Sequence, residues 1–254
     1  MVEIWTENYP AITGEEERKV YIYLPTDYEA QRYKSYPVLY MFDGQNVFFD
    51  EESSYGRSWR MGDYLDFTDT PLIVVAIECS RSSDNERLSE YTPFTFEDPE
   101  YGHRDARGDI TMNWIIDELM PKINANFRTF PNRETTFIMG SSMGGLMSLY
   151  AVLEHNDIFG ACAALSPSVE LVEKQINEYV NKCKIKNDTV IYMDYGTEEA
   201  KDYPGVLKSF SKLAAKLTAK DIMVTMRIIP YAPHSEESWE KQIPFALSTL
   251  MYEP

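Results

Sequence analysis

The sequence predicts an α/β fold, with a central, mostly parallel, twisted sheet and helices on both faces. Short apolar runs rich in β-branched residues alternate with helical patterns along most of the 254 residues, which is typical of this class. Two runs, 36–44 (YPVLYMFDG) and 71–78 (PLIVVAIE), are almost continuously apolar, as expected for central strands covered on both faces. The length fits one domain over residues 1–254.

The first elements are expected to form an antiparallel edge of the sheet. Residues 18–25 (RKVYIYLP) alternate between polar and apolar side chains, which predicts a strand. Residues 2–7 (VEIWTE) are the expected antiparallel partner. After the two central strands, residues 109–127 carry apolar side chains at helical spacing, and Pro121 predicts a bend in that helix.

The second half of the chain repeats the alternation of strand and helix. Strands are predicted over 135–140, 160–166, 189–196 and 223–231. Helices are predicted from about 143 to 154, near 168–182, over 203–219 and over 236–252. Only one helix separates strand 160–166 from strand 189–196, so we expect no separate cap domain.

Composition excludes several classes of partner. Lys and Arg number 24 and Asp and Glu number 41, for a net charge of -17, which argues against nucleic acid and anionic membranes. No apolar run is long enough to cross a bilayer, and no leader pattern opens the chain. Three cysteines without a CxxC motif do not indicate a disulfide framework. We expect a soluble, cytoplasmic protein that acts on a small molecule; a homo-oligomer is compatible with the sequence.

A candidate nucleophile lies between a predicted strand and a predicted helix. The pattern Gly-x-Ser-x-Gly fits residues 140–144 (GSSMG) in one frame, with Ser142 at its centre. A sharp strand-to-helix turn holds the nucleophile in a strained conformation, and side chains two residues away on either side would collide. The start of the helix offers backbone N–H groups to a developing oxyanion.

A serine hydroxyl needs a general base, and the chain has three histidines. His103 precedes the serine, whereas the base of this serine arrangement follows it in sequence. His155 lies at the end of the helix that Ser142 begins, too close in sequence to return to it. His234 follows the last predicted strand, so we expect it to be the base.

The acid that orients the histidine is expected after strand 189–196. Asp194, Glu198 and Glu199 compete for this role, and position favours Glu199 because Asp194 still belongs to the strand. The backbone N–H of Met143 is expected to form one half of an oxyanion hole. The loop after strand 36–44 should supply the other half, and the N–H of Gln45, next to Gly44, is the candidate.

These residues resemble the "Putative esterase" family of the α/β-hydrolase superfamily, which includes esterase D and enterochelin esterase-like enzymes. The stretches that carry the resemblance span nearly the whole chain. They are YPVLYMFDGQNVF (36–48), GRSW (56–59), EYTPF (90–94), MGSSMGGL (139–146), IFGACAALSPS (158–168), YGTEE (195–199) and HSEESW (234–239). The family's acid lies three residues after the glycine of the GTxx turn, which is Glu199 here, although many relatives have Asp.

The resemblance implies an α/β-hydrolase fold and a serine carboxylesterase that forms an acyl-enzyme without metal or cofactor. The ester itself is left open: siderophore trilactones, acetylated sugars, hydroxycinnamates and simple short-chain esters all fit. An acyltransferase with the same triad is the alternative, and a non-catalytic binding protein on this fold is a second one.

Two further groups of charged residues have simpler interpretations than ligand binding. The long loop over 79–108 holds four arginines that could bind an acidic or hydroxyl-rich group, or pair with acids of the same loop; they are Arg81, Arg87, Arg104 and Arg107. The acids Asp43, Asp50, Glu51 and Glu52 lack the regular spacing of a calcium loop. We expect them to form a solvated acidic loop.

Overall fold

An eight-stranded sheet forms the centre of the protein. The computed structural model describes residues 1–11, 14–82, 84–202 and 205–252. The sheet strands are β1 (Val2–Ala11), β2 (Gly14–Tyr23), β3 (Val38–Phe42), β4 (Ile73–Ile77), β7 (Thr136–Ser141), β8 (Ala161–Leu165), β9 (Val190–Gly196) and β10 (Met223–Ile229). A separate hairpin pairs β5 (Phe96–Asp98) with β6 (Gly102–Arg104).

The strand order is β1-β2-β4-β3-β7-β8-β9-β10, and the predicted mostly parallel sheet is confirmed. β1 pairs antiparallel with β2, and β2 pairs antiparallel with β4. All later pairs are parallel. Parallel neighbours need long crossovers, so helices cover the sheet and the central strands are apolar on both faces.

Helices cover both faces, as predicted. The helices are α1 (Met61–Thr68), α2 (Arg87–Glu90), α3 (Gly108–Trp114), α4 (Met120–Asn126), α5 (Met143–Glu154), α6 (Glu173–Lys182), α7 (Glu199–Asp202), α8 (Val206–Thr218), α9 (Glu236–Glu240) and α10 (Ile243–Leu250). Helices α5, α6 and α8 pack in one apolar cluster, while α1 and α10 pack in the other. Strand β3 divides its side chains between them, Tyr40 facing the first and Met41 the second.

Several predicted elements are interrupted. The helix predicted over 109–127 contains a π-helical turn, Ile115–Leu119, which ends two residues before Pro121. Proline has no N–H for a regular helical bond. The predicted closing helix, 236–252, is divided into α9 and α10, and Pro244 lies in the first turn of α10. The start of the helix predicted over 203–219 falls partly on residues 203–204, which lie outside the described residues.

The carboxyl ends of the parallel strands share one edge of the sheet. β3, β7, β8, β9 and β10 all end there, so the loops that follow them meet. This edge brings together segments that are up to about two hundred residues apart in sequence. In the described part of the chain, no helix has the length and apolar character needed to cross a membrane.

Candidate active site

The turn between β7 and α5 has the geometry of a nucleophile elbow. Ser142 has φ 57° and ψ −123°, a conformation that L-residues rarely adopt. A Cβ on Gly140 would lie 2.7 Å from the carbonyl carbon of Gly144, so the turn requires small residues there. Both serines line one cavity, but Ser141 is buried as the last residue of β7, whereas Ser142 is half-buried. The structure therefore presents Ser142, not Ser141, as the accessible hydroxyl of this turn.

A histidine and a carboxylate meet at the same edge of the sheet. His234 follows β10, and its Nδ1 lies 2.6 Å from Glu199 Oε2. Of the other two acids considered, Glu198 pairs with Lys201 on the surface at 2.6 Å. Glu199 begins the short helix α7, rather than lying on an open loop as its sequence position suggested.

Asp194 lies in β9, and both of its carboxylate oxygens have partners other than the histidine. Its Oδ2 accepts a hydrogen bond from the hydroxyl of Tyr192 at 2.8 Å, and its Oδ1 accepts one from the Ser166 N–H at 3.2 Å. Burial raises the pKa of Asp194 to about 7, because the ionised carboxylate loses its hydration. Its hydrogen bonds therefore serve the sheet edge rather than the imidazole.

Glu199 is held by groups that sequence reasoning did not identify. Its Oε1 accepts hydrogen bonds from Ser166 Oγ at 2.7 Å and from the Gly196 N–H at 2.9 Å. The indole Nε1 of Trp239 donates to Ser166 Oγ at 3.0 Å, and the Trp239 ring contacts the His234 ring edge-on at 4.9 Å between centroids. Both oxygens of Glu199 are thus engaged, which fixes the carboxylate against the imidazole.

The contact between Ser166 and Glu199 could not be predicted from the sequence. The residue follows β8 in the stretch ALSPS, which belongs to the family resemblance but carries no spacing rule that points to an acid after β9. Ser166 has φ 42°, so its backbone is also in the left-handed region. Its strained conformation is the structural signal that marks it.

The loop after β3 supplies the second wall of the site. Neither the Gln45 N–H nor the Met143 N–H has a protein acceptor within residues 1–11, 14–82, 84–202 and 205–252. A Cβ on Gly44 would lie 2.5 Å from the Ala76 carbonyl oxygen. Glycine is required there by this close approach of β4, while the residue with left-handed backbone in this turn is Asp43, with φ 58°.

Ser142 and His234 open into one cavity of about 800 Å³. The Ser142 hydroxyl lies 3.3 Å from that of Ser168. An imidazole with Nδ1 against a carboxylate keeps Nε2 available to take a proton. A cavity with a half-buried serine, this imidazole and two N–H groups that have no acceptor among the described residues has the parts that acyl transfer requires.

Residues 12–250 match the family model described as "Putative esterase". The chain belongs to this family. It is therefore a hydrolase that acts on ester bonds, and the resemblance found in the sequence is confirmed.

Known relatives of this esterase are distant in sequence. Over 202 residues it is 24% identical to "Uncharacterized protein YbbA" of Bacillus subtilis, covering 77% of this chain and 74% of the relative. Over 170 residues it is 24% identical to "Ferri-bacillibactin esterase BesA" of the same organism, covering 61% of this chain and 57% of BesA.

A solved structure supports the fold. The enterobactin esterase FES of Shigella flexneri, crystallised in the presence of enterobactin, superposes with a TM-score of 0.74 at 18% identity. The match covers 98% of this esterase and 58% of that chain. The predicted α/β-hydrolase fold is confirmed.

The arginines of the loop 79–108 do not pair with the carboxylates of that loop. Arg87 binds Asp43 through Nε and Nη2, at 2.5 and 2.7 Å. Arg81 binds Glu78 at 2.7 Å. Arg104 donates to the backbone carbonyl of Asp84, and Arg107 donates to carbonyls of β1. The alternative of ion pairs with acids of the same loop was therefore wrong for these arginines, because carboxylates of other segments and backbone carbonyls bind them instead.

Of the acidic residues after β3, only Asp43 departs from the solvated loop that we expected; the other three carboxylates are partly or fully exposed. Asp43 is buried and bound to Arg87. Asp50 accepts hydrogen bonds from Ser58 and Arg60, which hold the pKa of its carboxyl at about 2. Glu52 pairs with Lys19 at 2.8 Å. Three of the four acids thus have partners in the protein, and Glu51 is exposed.

The other two histidines lie away from the cavity. His103 is in β6, where its Nε2 lies 3.2 Å from Asp105. His155 caps the end of α5 and is half-buried rather than exposed, and burial lowers its pKa. Neither residue lines the cavity beside Ser142.

Proposed function

We propose that the protein is a serine carboxylesterase that hydrolyses small or short-chain carboxylic esters through an acyl-enzyme on Ser142. The observation that carries the proposal is the 2.6 Å contact between His234 and Glu199, in a cavity that Ser142 also lines. Each residue alone has an ordinary structural explanation. Their convergence beside one cavity, from three segments that are distant in sequence, favours catalysis.

In this mechanism, His234 Nε2 takes the proton of Ser142 as Oγ attacks the ester carbonyl carbon. The Gln45 and Met143 N–H groups stabilise the oxyanion that forms. Collapse of this intermediate breaks the carbon–oxygen bond, and His234 passes its proton to the leaving alcohol. Water then attacks the acyl-enzyme by the same steps and releases the acid. Glu199 holds the tautomer that leaves Nε2 free.

The test compares p-nitrophenyl acetate, butyrate and decanoate with the wild type, Ser142→Ala and Ser141→Ala. We expect wild-type turnover to fall with increasing acyl-chain length. Ser142→Ala should lose activity by at least about a thousandfold, whereas Ser141→Ala should retain much of it. Ser141 is the matched control because it is the neighbouring hydroxyl, buried in β7. Equal loss in both variants would contradict the assignment of Ser142.

The molecule that accepts the acyl group and the natural ester need separate measurements. Added alcohols that appear as new ester products would identify a transferase that uses the same residues. The names of BesA and FES make siderophore esters one class to include among the substrates tested. Wild-type protein that cleaves no ester and takes no fluorophosphonate label on Ser142 would instead indicate a binding protein.

A further inference from the structure

The cavity beside Ser142 has an acidic lining. Six charged side chains line it besides His234, namely Asp43, Glu51, Glu52, Arg81, Arg87 and Glu236. Four acids and two bases give a formal charge of -2 for this lining, counting His234 as neutral. A concave site with an excess of one sign of charge attracts ligands of the other sign.

Both arginines of the lining are already engaged by carboxylates. Arg87 uses Nε and Nη2 on Asp43, and Arg81 uses Nε on Glu78. An anionic substrate would have to compete with these ion pairs. The cavity therefore offers little positive charge to a carboxylate or phosphate on the ester.

Glu236 differs from the other carboxylates of the lining in combining burial with few hydrogen-bond partners. It is two residues after His234, in α9, and only 7% of its surface is exposed. Within the described residues its carboxylate receives a hydrogen bond from no residue other than itself, through its own backbone N–H. Burial raises the pKa of Glu236 because the ionised form loses hydration.

A buried carboxylate in a protein normally has a cation or several donors beside it, because an unpaired buried charge is costly. The ionisable groups that act electrostatically on Glu236 are Asp43, His234 and Arg87. Since Arg87 is bound to Asp43, the partner that Glu236 lacks can come from a molecule in the cavity. An ammonium group supplies both the charge and the donors.

We propose that Glu236 is a substrate-binding carboxylate, and that the cavity prefers esters bearing an ammonium group to neutral or anionic esters of equal size. The inference rests on the proposed function of Ser142, because the bound molecule is the ester that Ser142 attacks.

The test uses three p-nitrophenyl esters of equal acyl length: 6-aminohexanoate, heptanoate and the monoester of heptanedioate. They present an ammonium, a methyl and a carboxylate group at the same position. We expect kcat/KM for the ammonium ester to exceed that of the neutral ester by about tenfold, as for one hydrogen-bonded charge. The carboxylate ester is expected to be the poorest substrate.

Two variants separate recognition from structure. Glu236→Gln should remove most of the preference for the ammonium ester while changing kcat/KM for the neutral ester by less than about threefold. Glu237→Gln is the matched control, because it makes the same charge change on a neighbouring exposed residue that pairs with Lys241. It should preserve the order of the three esters.

The outcomes are distinguishable. Equal kcat/KM for the ammonium and neutral esters in the wild type would overturn the proposal, as would an equal loss on all three esters in Glu236→Gln. If the wild type cleaved none of the esters and Ser142 took no fluorophosphonate label, the esterase function itself would fail, and this inference with it.

Discussion

Two carboxylates near the end of β9, Asp194 and Glu199, differ in what surrounds them. Asp194 accepts hydrogen bonds from Tyr192 and from the Ser166 backbone, and burial raises its pKa to about 7. Glu199 accepts hydrogen bonds from Ser166 Oγ and Gly196 and lies against His234. At the scale of single residues, this difference in partners supports Glu199 rather than Asp194 as the orienting acid.

Glu199→Gln should lower kcat on p-nitrophenyl butyrate by about a hundredfold or more. Glutamine keeps the size of the side chain but cannot hold the imidazole in the same tautomer, so Nε2 no longer accepts the serine proton. Glu198→Gln is the matched control, since Glu198 pairs with Lys201 on the surface, and its activity should remain within about twofold of the wild type. Similar activity of Glu199→Gln and the wild type would contradict the triad.

At the scale of elements, the site depends on close approach between neighbouring strands and loops. Gly44 lies against the β4 backbone at Ala76, and Gly140 lies against the first turn of α5 at Gly144. These contacts leave no room for a side chain, so the turns after β3 and β7 can aim Gln45 and Ser142 at the same cavity. Backbone packing thus fixes the separation of the Ser142 hydroxyl from the Gln45 N–H, which are the nucleophile and an oxyanion donor in the proposed mechanism.

Gly44→Ala should reduce both stability and activity. The new Cβ would meet the Ala76 carbonyl, and the backbone shift that relieves the overlap costs about 1–3 kcal/mol and moves the Gln45 N–H. The comparison is Gly62→Ala in α1, where a Cβ would make an ordinary 3.5 Å contact with Phe48. That variant should be as stable as the wild type or slightly more so, since alanine favours helix. Urea unfolding and p-nitrophenyl butyrate hydrolysis measure the two effects, and unchanged values in Gly44→Ala would contradict the steric requirement.

At the scale of the whole molecule, a buried ion pair ties the antiparallel edge to the wall of the cavity. Arg18 in β2 donates to Glu90 at 2.6 Å, and both side chains are 2% exposed. Glu90 also accepts a hydrogen bond from the Ser80 N–H in the loop after β4. The position of this loop beside Ser142 is therefore connected to the first hairpin of the chain.

Arg18→Met should lower the free energy of unfolding by about 3–5 kcal/mol, because Glu90 is left as an uncompensated buried charge. Lys34→Met provides the comparison, since it breaks a half-exposed pair with Asp27 and should cost less than about 1 kcal/mol. Adding Glu90→Met to Arg18→Met should recover part of the loss. A single variant as stable as the wild type in urea unfolding would contradict the importance of the pair.

Sequence by itself determined the fold class, the mostly parallel character of the central sheet, and the candidate residues Ser142 and His234. These features depend on local rules: apolar periodicity sets the strands, and the glycine spacing of residues 140–144 reflects a steric requirement within one turn. The sequence also limited the acid to three residues near the end of β9. Prediction from sequence failed where a side chain's partner is distant along the chain, as for the ion-pair partner of Arg87.

Only the tertiary structure decided which carboxylate meets His234 and that Ser166 and Trp239 hold it. It also decided that Glu236 lies buried in the cavity with no hydrogen bond from another residue in the described part of the chain. The physical reason is that side-chain partners at the carboxyl edge come from five different strand ends. Hydrogen bonds and ion pairs form only over a few ångströms. No local sequence pattern predicts which of these loops approach one another, because the packing of the whole sheet sets the distances between them.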